Sequence, residues 1–169
     1  MTTWWTTEIK KPEHWVERQD IEMIDSFTGK YRWLSNFEPS TIEMDGLLYR
    51  TVEHAYQAAK TIDVAERIRV QRCDTPGIAK KLGQQVRLRK DWEDIKVDVM
   101  TKLVRKKFSV EPLRSKLLET GASKLIEGNW WQDTFWGVCR GKGQNKLGKI
   151  LMKVRTELQR GCLPEHNEE

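Results

Sequence analysis

The chain has 169 residues, of which 30 are Lys or Arg and 25 are Asp or Glu, so its formal net charge is +5. This length suits one domain with a hydrophobic core of its own, since domains average about 150 residues. Hydrophobic residues make up 38% of the chain, and no apolar run approaches the ~20 residues of a membrane-spanning helix. These quantities exclude a membrane-spanning protein and predict a globular domain.

The cysteine and histidine residues are few and scattered. Cys73, Cys139 and Cys162 form an odd set without a Cys-x-x-Cys pair. This pattern favours a reducing compartment, so we expect a cytoplasmic protein without structural disulfides. No Cys or His spacing resembles a zinc site, and the N-terminal residues show no signal peptide. We therefore expect no metal ligands.

Hydrophobic periodicity divides the chain into three parts. Residues 1–20 show no clear period and are predicted to form an N-terminal arm. A regular pattern runs over residues 21–160, which predicts one domain. Residues 161–169 are polar and are predicted to form a disordered tail.

Short strands are predicted at three places in this domain. Apolar residues at 21, 23 and 27 indicate a first strand. Residues 41–44 and 47–49 flank Asp45-Gly46 and predict a hairpin, because Asp-Gly supplies the positive φ that a tight turn needs. The aromatic and β-branched segment 130–140 is predicted to include another strand.

Six helices are predicted from capping residues and from apolar side chains at helical spacing. Thr51 caps the first, Thr75-Pro76 begins the third, and Asp91 caps a longer fourth helix. The predicted helices cover about 51–62, 64–72, 75–83, 91–104, 112–120 and 147–158. Together with the strands, they predict a helix-rich α+β domain with a small antiparallel sheet.

Basic residues are concentrated in one part of the chain. Residues 66–107 contain thirteen basic and six acidic side chains, a local surplus of +7. Such a region can face phosphate groups, or it can be the solvated face of several helices.

The first predicted helix carries a group of polar residues. Glu53, Tyr56, Gln57 and Lys60 lie at i, i+3, i+4 and i+7, so they share one helical face. The helix N-terminus favours an ionised Glu53, which suits activating water or stabilising a cation. Lys60 becomes a nucleophile if burial removes its proton. The alternative is an exposed stripe of charged residues.

Three further segments combine polar and aromatic residues. In the segment 31–37, Arg32 can bind phosphate and the aromatic rings can sandwich a base. Asp133 lies among four aromatic residues, which suits a general acid, although an Asp that caps a turn explains it equally well. The glycine-rich turn 141–145 precedes a helix and can receive a phosphate on backbone N–H groups, or act only as a turn.

Taken together and in this order, these segments resemble the NADAR (YbiA-like) superfamily. The resemblance covers about residues 21–160. In two places the chain departs from the family pattern, at Trp33 with Glu38 and at Trp130-Trp131, and we expect these changes to affect which base is accepted. The matching segments are YRWLSNF (31–37), TVEHAYQAAK (51–60), LRKDW (88–92), Val99-Met100, Lys107-Phe108, Thr120-Gly121, DTFWG (133–137) and GKGQNKLG (141–148).

The resemblance implies an N-glycosidase, which cleaves the bond between C1′ of a ribose and a nitrogen of a base, without a metal or other cofactor. It implies two substrate classes. One is phosphoribosylated pyrimidine intermediates of riboflavin synthesis, and the other is ADP-ribose attached to guanine in nucleic acid or free nucleotide. The basic surplus favours the second class and transient contact with nucleic acid. We expect no membrane and no obligate protein partner.

The resemblance also implies roles for individual residues. Catalysis is expected from Glu53, Lys60 and Asp133. Substrate binding is expected from Arg32, Ser35, Asn36, Phe37, Tyr56, Trp92, Trp136, Gly137, Gly143 and Asn145.

Two chemical routes and one alternative function follow. In the first route Glu53 stabilises the oxocarbenium-like sugar or activates water, while Asp133 protonates the leaving base. In the second route Lys60 forms a Schiff base at C1′. The alternative function is a non-enzymatic nucleotide or single-stranded nucleic-acid binding protein, in which Trp residues stack on bases beside a basic surface.

Overall fold

The structure, a computed structural model, describes residues 22–162. The predicted arm (1–20) and residues 163–169 of the predicted tail therefore lie outside the described residues. Within the described part, a 3-10 helix at Gly29–Leu34 precedes the α-helices. These are α1 (Val52–Ala58), α2 (Val64–Gln71), α3 (Pro76–Leu82), α4 (Trp92–Phe108), α5 (Leu113–Glu119) and α6 (Lys146–Gln159). The helix-rich α+β class predicted from the sequence is confirmed.

Three of the six α-helices begin directly after the predicted capping residues Thr51, Thr75 and Asp91. The hydroxyl oxygen of Thr51 accepts a hydrogen bond from the backbone N–H of His54 at 3.2 Å, and Thr75 caps α3 in the same way. Asp91 precedes α4 but makes no side-chain cap. Its carboxylate instead pairs with Arg89, at 2.7 Å from Nε.

The strands are short and form three separate pairs. The predicted antiparallel hairpin is present as β2 with β3, and its turn residues Asp45 and Gly46 have φ of 52° and 78°. The other two pairs, β1 with β4 and β5 with β6, are parallel. Of the predicted strand segment 130–140, only Val138–Cys139 is a strand. The strands are β1 (Met23–Ile24), β2 (Ile42–Met44), β3 (Leu47–Tyr49), β4 (Lys124–Leu125), β5 (Gly128–Asn129) and β6 (Val138–Cys139).

Helix α1 lies in the centre of the fold. It contacts α2, α3 and α4, and all seven of its residues are buried. Its apolar side presents Val52, Ala55 and Ala58, and the small alanine side chains allow the neighbouring helices to approach closely. The remaining side, with Glu53 and Gln57, faces a cleft instead of the core. Across residues 22–162, no helix is long and apolar enough to cross a membrane.

Candidate active site

A cleft of about 620 Å³ lies beside α1, which is within the range of small-molecule sites. The segment 27–37, the first half of α4 and the segment 127–136 form most of its other walls, and Lys80 of α3 and Leu147 of α6 also line it. Most of the predicted site residues line it together. They are Arg32, Ser35, Asn36, Phe37, Glu53, Tyr56, Lys60, Trp92, Asp133 and Trp136.

Glu53 reaches the cleft from the first turn of α1 and is 7% exposed. Its Oε1 accepts a hydrogen bond from Nε2 of Gln57 at 2.7 Å, one turn further along the helix. Burial raises the pKa of Glu53, and the Gln57 hydrogen bond and the charges of Lys80 and Lys60 oppose that shift. The pKa of Glu53 is thus raised, whereas its place at the helix N-terminus predicted that the ionised form would be favoured. A carboxylate with a raised pKa is a stronger base than an ordinary glutamate, which suits a general base.

Lys60 also reaches the cleft, although not from the helix predicted for it. Helix α1 ends at Ala58, and Lys60 lies in the turn that follows. Its Nζ lies 5.9 Å from the centre of the Tyr56 ring. Burial lowers the pKa of Lys60, while the charge of Glu53 opposes the change. The net lowering of the pKa favours the neutral amine that a nucleophilic lysine requires, and the charge of Glu53 acts against it.

Aromatic rings form one wall of the cleft. The ring of Tyr56 lies 5.1 Å from that of Trp92 and 5.5 Å from that of Trp136, measured between centroids. Phe135 extends the cluster, with its ring 4.9 Å from Trp136. Burial raises the pKa of the Tyr56 phenol, so this wall is uncharged at neutral pH. Such a surface can pack against a planar base.

Asp133 lines the cleft and also caps a turn. Its Oδ1 accepts hydrogen bonds from the backbone N–H groups of Phe135 at 3.1 Å and Trp136 at 2.8 Å. Its own backbone is held by Asn129, whose Nδ2 donates to the Asp133 carbonyl at 2.7 Å. Asp133 therefore caps a turn, as one of the two readings of the sequence expected, and its role as a general acid stays a prediction. The two accepted hydrogen bonds give Asp133 a structural role that positions the aromatic wall.

The segment 32–37 ends in a loop and also lines the cleft. Arg32 is exposed, and its Nε lies 3.3 Å from Oε2 of Glu38. The carbonyl oxygen of Ser35 accepts a hydrogen bond from Nζ of the buried Lys107 at 2.7 Å. The carbonyl oxygen of Asn36 accepts one from the backbone N–H of Glu53 at 3.1 Å. This loop is therefore tied both to α4 and to the first turn of α1.

Gly137, Gly143 and Asn145 do not line the cleft, in contrast to the expectation that they bind substrate. A Cβ at Gly143 would clash with the backbone of Gly137, and a Cβ at Gly137 would clash with the carbonyl oxygen of Glu127. Oδ1 of Asn145 accepts a hydrogen bond from the backbone N–H of Glu127 at 3.0 Å. The glycine-rich turn thus packs behind the cleft and supports the residues that line it.

Four charged residues of the cleft were missed by the sequence analysis. They are Lys80, Glu93, Lys96 and Glu127. Lys96 pairs with Glu93 and lies 4.3 Å above the Phe135 ring. Glu93 and Lys96 lie within about one turn of Trp92 on α4, which is a local signal for these two residues. Lys80 and Glu127 reach the cleft through tertiary packing.

Comparison with known proteins identifies the family to which this chain belongs. The sequence model of the NADAR domain matches residues 24–159, most of the chain. The chain belongs to the NADAR domain family. This confirms the resemblance on which the site residues were predicted.

Named NADAR relatives are similar over most of the chain. N-glycosidase YbiA of Escherichia coli is 39% identical over 147 residues, which cover 85% of this chain and 91% of YbiA. An N-glycosidase of Nostoc punctiforme is 40% identical over 136 residues, 76% of this chain and 86% of that protein. A riboflavin biosynthesis protein of Vibrio vulnificus is 42% identical over 131 residues, 75% of this chain but 35% of that longer protein.

The NADAR fold is also known from a solved structure. The NMR structure of E. coli YbiA matches with a TM-score of 0.75 and 36% identity, and the match covers 88% of this chain and 92% of that chain. The short sheets and the helices around α1 are therefore features that this chain shares with a solved relative.

Proposed function

We propose that this NADAR chain hydrolyses, in the cleft beside α1, the bond between C1′ of a ribose and a nitrogen of a base. The chain is an N-glycosidase, the enzyme class for which its relatives from E. coli and Nostoc are named. The observation that carries the proposal is the buried carboxyl of Glu53 in the same cleft as the aromatic wall. The wall binds the base, and Glu53 acts at the sugar.

The reaction needs charge stabilisation at C1′ and activation of water. Departure of the base makes the sugar oxocarbenium-like, and a nearby carboxylate stabilises that positive charge. Glu53 takes a proton from the attacking water, because its raised pKa makes it a stronger base than an ordinary glutamate. The Gln57 hydrogen bond fixes the carboxyl in one orientation.

Lys60 offers a second route to the same products. When the ribose ring opens, the Lys60 amine adds to C1′ and the base departs, which leaves an imine that water hydrolyses. The observation that favours this route is the lowered pKa of Lys60 in the same cleft. Chemical reduction of the imine distinguishes the two routes.

The charged rim of the cleft supports a substrate that carries phosphate. Arg32, Lys80 and Lys96 all line the cleft, and Arg32 is exposed. ADP-ribose attached to guanine and a phosphoribosylated pyrimidine both carry phosphate next to the ribose. We propose that these cations bind it, with Arg32 contributing paired N–H donors.

Trp130 and Trp131 favour the nucleic-acid-linked substrate of the two. Trp130 is 83% exposed and Trp131 is 47% exposed, with ring centroids 5.7 Å apart, and Trp131 lines the cleft. Exposed rings at the edge of a base-binding cleft can stack on neighbouring bases of a single strand. We therefore propose ADP-ribosylated guanine in nucleic acid as the preferred substrate, ahead of riboflavin-pathway intermediates.

A paired turnover assay tests this proposal. One reaction contains an oligonucleotide bearing ADP-ribosylated guanine, and the other contains the phosphoribosylaminouracil intermediate, with products identified by mass spectrometry. The expected result is release of ADP-ribose with restored guanine in the first reaction. Release of ribose 5-phosphate in the second reaction alone would assign the enzyme to flavin metabolism. No product in either reaction from folded protein would contradict the hydrolase and favour the non-enzymatic nucleic-acid binder.

A further inference from the structure

Glu127 is a buried acid of the cleft, and one oxygen of its carboxyl lacks a hydrogen-bond partner among residues 22–162. It follows β4 and is one of the residues that line the same cleft as Glu53 and Asp133. The oxygen in question is Oε2, which is inaccessible to solvent. A buried carboxyl oxygen without a partner is costly unless it is protonated or meets a bound molecule.

The backbone of Glu127 is held rigidly. Its N–H donates to Oδ1 of Asn145 at 3.0 Å, and its carbonyl oxygen accepts from the N–H of Val138 at 2.8 Å. Gly137 packs against it so closely that a Cβ there would clash with the Glu127 carbonyl oxygen and lie 3.1 Å from its Cγ. Asn145 of the glycine-rich turn, which was expected to bind substrate, thus helps to hold the backbone that carries the Glu127 carboxyl.

Charges on several elements act on this carboxyl. Burial raises the pKa of Glu127 to about 7, and the negative charges of Asp133 and Glu53 add to the shift. The positive charges of Lys80 and Lys107 act in the opposite direction. A substantial fraction of Glu127 is therefore protonated at neutral pH. The charge of Glu53 thus acts on Glu127, and paired carboxyls in one site can divide the roles of acid and base.

Asp133 is less suited to donate a proton. Its Oδ1 already accepts two backbone hydrogen bonds, from Phe135 and Trp136. These bonds occupy Oδ1 as an acceptor and commit Asp133 to holding the turn that positions the aromatic wall, so only Oδ2 could carry a proton for donation. The carboxyl of Asp133 therefore accepts hydrogen bonds from the protein, whereas Oε2 of Glu127 is available to donate one when it is protonated.

We infer that Glu127 is the general acid that protonates the leaving base, the role that the sequence analysis gave to Asp133. This inference rests on the proposed function. In the step, the bond between C1′ and the base nitrogen breaks, and its electron pair stays with the base. The carboxylic proton of Glu127 passes to the base, water adds to C1′, and Glu53 accepts the proton that water releases. The products are the free base and the ribose hydroxyl, and proton exchange with solvent restores both carboxyls.

Two measurements on wild type, Glu127→Gln and Asp133→Asn test the inference. The first follows kcat/KM against pH with the ribosylated substrate that the wild type cleaves. We expect Glu127→Gln to lose about 10²-fold or more at pH 6.5. For the wild type we expect the rate to decline above pH 7 as Glu127 loses its proton, and for Glu127→Gln we expect that decline to be absent. Asp133→Asn is expected to reduce the rate but to keep that decline, because the proton donor is still present.

The second measurement does not depend on activity. In protein labelled with ¹³C at the glutamate side-chain carboxyl, one resonance is expected to titrate with a midpoint near pH 7 and to be missing in Glu127→Gln. A midpoint below pH 5 would overturn the inference, as would an unaltered pH profile in an active, folded Glu127→Gln variant. Absence of turnover by the wild type would instead overturn the proposed function and remove the catalytic role of Glu127 with it.

Discussion

Gln57 donates a hydrogen bond from Nε2 to Oε1 of Glu53 at 2.7 Å, from one turn further along α1. The other polar atom of the Gln57 amide, Oε1, is buried without a partner among residues 22–162. Gly83 packs directly over this side chain, and a Cβ at that position would clash with it. The amide is therefore confined between α3 and the Glu53 carboxyl, which gives it a single orientation.

The first prediction concerns this hydrogen bond. It stabilises the charged form of Glu53, so its loss in Gln57→Met raises the pKa of Glu53 further. Hydrogen bonds to charged groups contribute about 1.5–3 kcal/mol, equivalent to about one to two pH units. The acidic limb of the kcat/KM profile is expected to move to higher pH by that amount. The rates of the variant and the wild type should converge at high pH, whereas an equal loss at every pH would indicate a structural defect.

The second prediction concerns Glu53 itself. Glu53→Gln keeps the shape of the side chain but removes the base, so we expect turnover to fall by about 10²-fold or more. Binding of the intact substrate should change little, because the aromatic wall is unaffected. Equilibrium binding and single-turnover rates separate these effects. A rate near that of the wild type would remove Glu53 from the mechanism.

The third prediction concerns Lys60. Borohydride added during turnover reduces an imine, so the Schiff-base route predicts a protein carrying the sugar on Lys60, identified by mass spectrometry of peptides. Lys60→Arg keeps the positive charge but cannot form an imine, and it serves as the matched control. Absence of the adduct in wild type during demonstrated turnover would assign hydrolysis to the Glu53 route alone.

The fourth prediction concerns the exposed Trp130. Base stacking contributes about 1–3 kcal/mol per base, so Trp130→Ala is expected to raise the KM for a ribosylated oligonucleotide by about 5-fold to 150-fold. The KM for the corresponding mononucleotide should stay unchanged. Leu48→Ala is a suitable control, because Leu48 is 61% exposed in the β2–β3 hairpin and does not line the cleft. Equal effects on both substrates would argue against stacking on a neighbouring base.

Local signals in the sequence account for most of the helices. Thr51 and Thr75 cap helices through hydrogen bonds to residues three positions away, so the sequence alone determines where those helices begin. The parallel pairing of β1 with β4 joins segments about a hundred residues apart, and two-residue strands leave no pattern that identifies such a partner. The hairpin was predicted because its turn lies next to its strands.

Helical spacing and the family motifs predict part of the site. Glu53 and Tyr56 share a face of α1 because both lie within one short helix. Glu127 gave no local signal, since its burial and its raised pKa come from residues that are remote in sequence. Asn145 and Gly143 belong to a family motif, but a motif does not state whether its residues contact substrate or support those that do.

The complete burial of α1 has a consequence for how activity depends on folding. A helix of seven residues is not stable alone in water, so α1 forms only when α2, α3 and α4 close around it. Glu53, Tyr56 and Gln57 are therefore assembled by the same cooperative event that forms the core. Enzymatic activity and native secondary structure should therefore be lost together on heating, so the activity measures the fraction of folded protein.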